Sequence, residues 1–314
     1  RLPGTAPGSL AVDPRHPERL WCGAAGGAWR SEDAGASWVQ AGAELAGRNV
    51  SAIAVAPDEE AVYAGIDPSA LWRSDDRGRR WEALTELNAL PSAPTWSFPP
   101  RPDTSHVRWI TLDPAAPERL FVCIEAGALV RSGDGGRTWT DRVADGPLDT
   151  HTLAVHPRAP GRLYSAAGDG VMNRGRGYNE SADGGETWMR PDEGIERHYL
   201  YGLAVDPGDP DTLIVSAARS PREAHSVGAA DATIYRRSGG GPWREVREGL
   251  PQPEGSVRAM LAADPAEPGV FYAAGNRGVF RSSDAGATWA PVAAPLPQPF
   301  GGQAPDALLV TSAD

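Results

Sequence analysis

One short motif recurs along the chain and limits the available folds more than any other feature. It reads SEDAGASW at 31–38, SDDRGRRW at 74–81, SGDGGRTW at 132–139, SADGGETW at 181–188 and SSDAGATW at 282–289, with a degenerate sixth copy, SGGGPW, at 238–243. The closing residues Trp38, Trp81, Trp139, Trp188, Trp243 and Trp289 stand 43, 58, 49, 55 and 46 residues apart. A period of about 40–50 residues is the mark of propellers and solenoids, in which each repeat completes its core against the next.

Each motif occupies the same place in a larger unit. The first copy runs SLAVDP, RHPERLWCGAA, GGAWRSEDAG, ASWVQAG: four short apolar or alternating runs separated by Asp-Pro and Gly-rich turns. The first run returns as IAVAP, ITLDP, LAVHP, LAVDP and LAADP, unbroken apolar stretches suited to a strand buried on both faces. No useful length has helical periodicity. The expected fold is therefore an all-β propeller of six blades, each of four antiparallel strands, at approximately 8–42, 49–85, 106–143, 150–192, 199–248 and 256–293. Residues 294–314 form a closing segment, and the run DALLVTSAD at 306–314 has the look of an inner strand, making seven blades if an N-terminal segment is missing. A length of 314 residues would by itself suggest two domains. The repeat replaces that expectation with one propeller over 1–314.

The octets, in consensus S-x-D-x-G-x-T-W, resemble the Asp-box of the BNR-repeat families. Those families include sialidases, some endo-acting glucanases, sortilin-type receptors and a photosystem II assembly factor. The resemblance covers nearly the whole chain and implies the propeller architecture rather than one activity. The physics of the box is that of a turn. A short Asp can accept hydrogen bonds from backbone N–H groups two or three residues on, the following Gly supplies a positive φ, and the Trp covers the hairpin. Asp33, Asp76, Asp134, Asp183 and Asp284 are accordingly read as turn-formers rather than catalytic acids.

Composition removes several function classes. A net charge of −11 excludes long-range attraction to nucleic acid or an anionic membrane surface, and neither is expected as a partner. All 30 basic residues are Arg, so Schiff-base chemistry and a P-loop are excluded, and no nucleotide cofactor is expected. Cys22 and Cys123 are too few and too distant for a disulfide framework. No run approaches the roughly 20 apolar residues of a membrane helix, and no signal peptide is visible; the expectation is a cytoplasmic protein, with a secreted mature form left open.

Loop lengths point to one face. The Asp-box hairpins and the turns between first and second strands share a face and stay short. The expansions at 86–106, 171–178 and 220–232 fall on the opposite face, where function is carried on a rigid scaffold. Four of six histidines map there: His106, His151, His198 and His225. Counting back from Asp-Pro aligns Arg108, His151 and Tyr201, and two residues earlier His106, Asp149 and Tyr199, which share a side by strand alternation. Glu125, Asp67, Asp169 and Arg258 lie near the same mouth.

Three functions follow. The first is a hydrolase or lyase acting on a small polar, carboxylated or glycan-like substrate. His106, His151, His198 and Glu125 would hold a divalent metal, or Glu125, His151, Tyr199 and Tyr201 would act as acid, base or nucleophile. Arg108, Arg258, His225 and Trp96 would bind substrate, the arginines clamping a carboxylate and Trp96 forming a stacking wall. The second is a metal-free glycosidase of the kind the sialidase resemblance implies. The Phe-Arg-Ile-Pro element of those enzymes is missing, and Arg108, Arg222 and Arg258 are a poor substitute for their arginine triad. A different glycosidase would use two of Glu125, Asp67 and Asp169. The third is a non-catalytic binding or assembly propeller. Substrate identity and oligomeric state are not encoded in any recognisable motif.

Overall fold

The computed structural model describes residues 7–58, 61–101, 103–292 and 305–311. Among these residues the chain folds into six antiparallel sheets built strictly in sequence order. It divides into two compact units, the first ending at Thr150 and the second beginning at His151. No described helix is long and apolar enough to cross a membrane.

The first unit holds three sheets. They are Pro7–Val12, Leu20–Ala24, Gly27–Ser31 and Val39–Gln40; Asn49–Val55, Val62–Asp67, Ala70–Ser74 and Glu82–Ala83; and Val107–Asp113, Ala116–Ile124 and Ala128–Ser132. The second unit holds Thr150–Val155, Leu163–Ala167 and Tyr178–Ser181; Tyr199–Asp206, Asp209–Ala218, Thr233–Arg237 and Arg244–Val246; and Met260–Ala263, Phe271–Gly275, Gly278–Ser282 and Ala290–Pro291.

Two sheets fall short of the expected four strands, their fourth reduced to the single bridges Arg131↔Thr140 and Glu180↔Met189. Local chemistry explains both. The Asp141 carboxylate accepts from Ser92 N and Oγ at 2.8 and 2.5 Å, drawing the chain off the ladder after Thr140. In the other, Pro191 follows closely and has no N–H to extend the pairing. The run from Asp306 to Thr311 adopts no strand, so the inner strand expected there does not form among the described residues, and 294–304 and 312–314 lie outside them.

Within each unit consecutive sheets pack face to face. Ala54, Tyr63 and Leu71 meet Val107, Ile110 and Leu120 in one core of the first unit, and Tyr164 and Tyr178 meet Leu200, Leu203 and Val215 in the second. The Asp-box Trp helps lock successive repeats: Trp81 Nε1 donates to Ala41 O at 3.0 Å, and Trp243 Nε1 to Pro191 O at 2.8 Å. A glycine in the preceding link makes room for this. A Cβ on Gly194 or Gly249, both at positive φ, would fall on the carbonyl oxygen of Trp243 or Trp289. This recurring link glycine escaped the sequence reading.

The Asp-boxes are turns, with a reach one residue longer than expected. Asp134 Oδ1 accepts from Ser132 Oγ and from Thr138 N, both at 2.8 Å and the latter four residues on, while Oδ2 accepts from Thr138 Oγ1 at 2.6 Å. Asp183 and Asp284 repeat the pattern, and Asp33 does so with Ser37. Hydrogen bonds from Thr138 hold the Asp134 carboxyl down at about 2. For Asp284, bonds from Thr288 and Ser282 outweigh a desolvation that works the other way, again giving about 2. Two successive residues are left-handed rather than one: Ala34–Gly35, Arg77–Gly78, Gly135–Gly136, Gly184–Gly185 and Ala285–Gly286. The turn is thereby pinned onto the loop between first and second strands, through Ala34 N to Glu18 O, Gly135 N to Glu118 O, Gly184 N to Gly161 O and Ala285 N to Gly269 O, each 2.8 Å. These bonds put Asp-box and first loop on one face of their sheets and leave the enlarged loops at the other end.

Candidate functional site

In the first unit the head of strand Val107–Asp113 and the end of strand Ala116–Ile124 bring three of the expected residues together. Glu125 N donates to His106 O at 3.1 Å, fixing the two segments side by side. Glu125 Oε2 then lies 3.4 Å from His106 Nε2 and 3.2 Å from Arg108 Nε, all three side chains largely sheltered at 13–14% exposure. Asp149 reaches the same place because its Oδ1 accepts from Ala126 N at 2.9 Å. Carboxylate oxygens of Glu125 and Asp149 lie within 4.8 Å of each other. Two acids thus lie close together, with a guanidinium and an imidazole on one of them.

The long link before this strand closes over the site differently from expectation. Trp96 is no stacking wall: it is only 7% exposed, sits in the core with Leu87, Leu90 and Ala128, and donates Nε1 to Ser92 Oγ at 2.9 Å. The ring that meets the site is Phe98, edge-on to His106 at 5.1 Å between centroids. Asp67 is likewise withdrawn from chemistry. Its carboxylate holds Arg101 at 2.7 Å and tethers the same link. Asp149, not Asp67, is the acid beside Glu125.

The second unit carries a cluster of rings around one cation. His151, wholly buried, stacks on Tyr201 with centroids 4.7 Å apart and lies 5.0 Å from Tyr199. His225 comes from the short helix Pro221–His225, whose first turn is capped by Ser220 Oγ accepting from Glu223 N. Its Nε2 is 3.0 Å from Tyr199 Oη and its Nδ1 is 3.3 Å from Arg258 Nε. Arg258 must be the donor in the last contact, which fixes the direction of the whole chain. His225 Nε2–H donates to Tyr199 Oη, Tyr199 O–H faces His151 Nε2 at 3.5 Å, and His151 Nδ1–H donates to Leu200 O at 2.6 Å. His151, wholly buried, thus stands within reach of the Tyr199 hydroxyl.

Arg258 lies flat over Tyr201, 4.0 Å from ring centre to guanidinium carbon, and is 4% exposed. Its terminal nitrogens are taken by Pro305 O at 2.9 Å and Asp306 Oδ1 at 3.0 Å. The expected metal histidine His198 stands apart: strand alternation turns it away from Tyr199 and Tyr201, and among the described residues its ring enters none of these contacts. Asp306, which completes the Arg258 environment, was not among the expected residues; nothing at sequence level links two positions 48 apart. Asp169 sits in the turn Gly168–Val171 of the same unit. The thiols play no part in either cluster, both being buried in strands; burial pushes Cys22 up to about 12 and raises Cys123 further.

With this geometry in place, the likeness to known proteins can be weighed. The BNR-Asp box repeat model matches residues 71–84. A xyloglucanase of Paenibacillus sp is 28% identical over 283 residues, covering 76% of this chain and 26% of that protein. Xyloglucanase Xgh74A of Acetivibrio thermocellus is 26% identical over 294 residues, covering 78% of this chain and 33% of that protein. The chain thus spans only a quarter to a third of the length of these relatives. Among solved structures, the GH74 xyloglucanase from Xanthomonas campestris aligns with a TM-score of 0.70 at 21% identity, over 93% of this chain and 46% of that one. YCF48 bound to D1 peptide aligns with a TM-score of 0.64 at 17% identity, over 93% of this chain and 83% of that one. The repeated Asp-boxes, the six sequential antiparallel sheets and these neighbours agree: the chain is an all-β Asp-box (BNR) repeat β-propeller.

Proposed function

We propose that the chain is a glycoside hydrolase acting on a β-glucan polysaccharide of the xyloglucan type, with Glu125 and Asp149 as its two acids. The observation that carries this reading is the approach of their carboxylate oxygens to within 4.8 Å. Two closely placed carboxyl groups flanking the scissile bond are the pair that retaining glycosidases use as nucleophile and acid/base. Glu125, contacted by Arg108 and His106, is the group to remain ionised and attack the anomeric carbon. Asp149, tied to Ala126 N through one oxygen, delivers the proton to the departing glycosidic oxygen and then takes one from water. Phe98 offers an apolar edge beside His106 for a sugar face. The similarity to xyloglucanases supports the choice of a neutral glucan over a sialoside.

The test is release of reducing ends from xyloglucan, with cellulose and mixed-linkage glucan alongside. Glu125→Gln and Asp149→Asn should each lower the rate by a factor of about 10³ or more while melting temperature holds. Undiminished cleavage by either variant, or failure of the wild type to cleave any of the three, overturns the reading. One observation favours a second possibility, a peptide-binding propeller without catalysis: the chain matches most of the length of YCF48 but less than half of the xyloglucanase structure. Saturable binding of peptide with no hydrolysis of any glucan would select it.

A further inference from the structure

We infer that Arg258, in the second unit, is a carboxylate-binding site that the protein's own Asp306 occupies. Arg258 and Asp306 both lie in that unit, and neither belongs to the Glu125–Asp149 pair of the first. A guanidinium 4% exposed is a charge taken almost wholly out of water, and such groups require an anion and hydrogen-bond acceptors. Among the described residues, the Tyr201 ring lies 4.0 Å from the guanidinium carbon and His225 Nδ1 accepts from Nε. The anion comes from elsewhere: Asp306 Oδ1 at Nη2 and Pro305 O at Nη1, two acceptors spanning the terminal fork. That fork is the geometry that one carboxylate satisfies by itself with both oxygens.

The two partners are unequally committed. Arg258 is fixed by the Tyr201 face and by His225, whereas the Asp306 side chain is 60% exposed, and residues 305–311 form no strand that would hold it. Asp306 is therefore a weak intramolecular occupant of a rigid receptor, and a ligand carboxylate entering from solvent displaces it without disturbing the sheet. The ligand class is a small carboxylate, either a sugar acid or a simple organic acid.

Titration calorimetry with D-glucuronate, acetate and D-glucose tests this on the full chain. The wild type should bind the carboxylates and not glucose. Asp306→Asn removes the competitor at an exposed position and should tighten carboxylate binding by about 1.5- to fivefold, the span of an ion pair with an exposed partner. Tightening for both acids identifies the carboxylate alone as the recognised group; tightening for glucuronate only identifies the sugar acid; either supports the site. Arg258→Lys should abolish the binding, with melting curves recorded to verify folding, and the Asp306→Asn arm stands even if that variant fails. Equal affinity of wild type and Asp306→Asn, binding of glucose equal to glucuronate, or a lower melting temperature in Asp306→Asn with no carboxylate binding would each overturn the inference. The last of these would make the ion pair a purely structural tie.

Discussion

Replacing Asp134 by Ala separates structural acids from reacting ones. Asp134 makes three hydrogen bonds in its turn, to Ser132 Oγ, Thr138 N and Thr138 Oγ1 at 2.8, 2.8 and 2.6 Å. The turn is exposed, so water replaces each partner in part, and each bond counts at the low end, about 0.5 kcal/mol. The expected loss is about 1.5 kcal/mol, comparable to removal of a helix cap. In a protein of 314 residues that corresponds to a fall in melting temperature of about 2–3 °C. Asp134→Asn keeps the Oδ1 acceptor and should lose about half as much. The effect must also titrate. The folded carboxyl lies at about 2, below the ordinary value of 3.8, so its contribution is complete above about pH 4 and disappears as pH falls through about 2. Urea unfolding of wild type and Asp134→Ala at pH 7, 4 and 2.5 should therefore give a gap between midpoints that is nearly full at pH 4 and clearly narrowed at pH 2.5, with glucan cleavage at pH 7 unchanged by the substitution. Unaltered stability with abolished cleavage would refute the argument and make Asp134 a reacting group. A stability gap that persists undiminished at pH 2.5 would refute its electrostatic part.

Other substitutions follow from packing. Trp96→Ala should destabilise the protein by about 3–5 kcal/mol through an unfilled core site, seen in denaturant unfolding; a change confined to substrate affinity would restore Trp96 to the site. Gly249→Ala places a methyl on the Trp289 carbonyl at a left-handed position, and should cost about 2–5 kcal/mol; a melting temperature equal to wild type would contradict the link-glycine role. Cys22 and Cys123, buried and with raised thiol pKa values, should resist alkylation in the native protein and label fully in denaturant, as mass spectrometry would read directly.

The architecture was legible because its determinants are local. Ser132, Asp134, Gly136 and Thr138 satisfy one another within seven residues, so the octet that carries the turn also announces it. The strands were legible for the same reason, as short apolar runs between turn signals. What the sequence hid was decided by long-range contacts. Trp96 and Phe98 stand two apart in one Pro-rich loop. Which of them meets the site depends on Asp141, far along the chain, capturing Ser92 and drawing Trp96 into the core. Aligning the inner strands placed Tyr199 and Tyr201 in phase, while counting histidines alone put the out-of-phase His198 beside them. Alternation is the stronger rule, because one residue of offset moves a side chain to the other face of the strand.

The same distinction sorts the acids of this chain. An Asp-box aspartate draws its partners from two residues before it to four after it, so its charge is consumed by the turn it builds. Glu125 and Asp149 are paired across 17 to 23 residues, to Arg108, His106 and Ala126, by segments brought together at strand ends. Such partners do not shape a local turn. They fix where a carboxylate points and what charge surrounds it, which is what proton transfer to a bound sugar requires. An acid whose bonds span several strands is therefore a better candidate for chemistry than one of five identical acids in identical turns. By that criterion the propeller's abundant aspartates are its scaffold, and Glu125 and Asp149 are the acids we propose as its reactive pair.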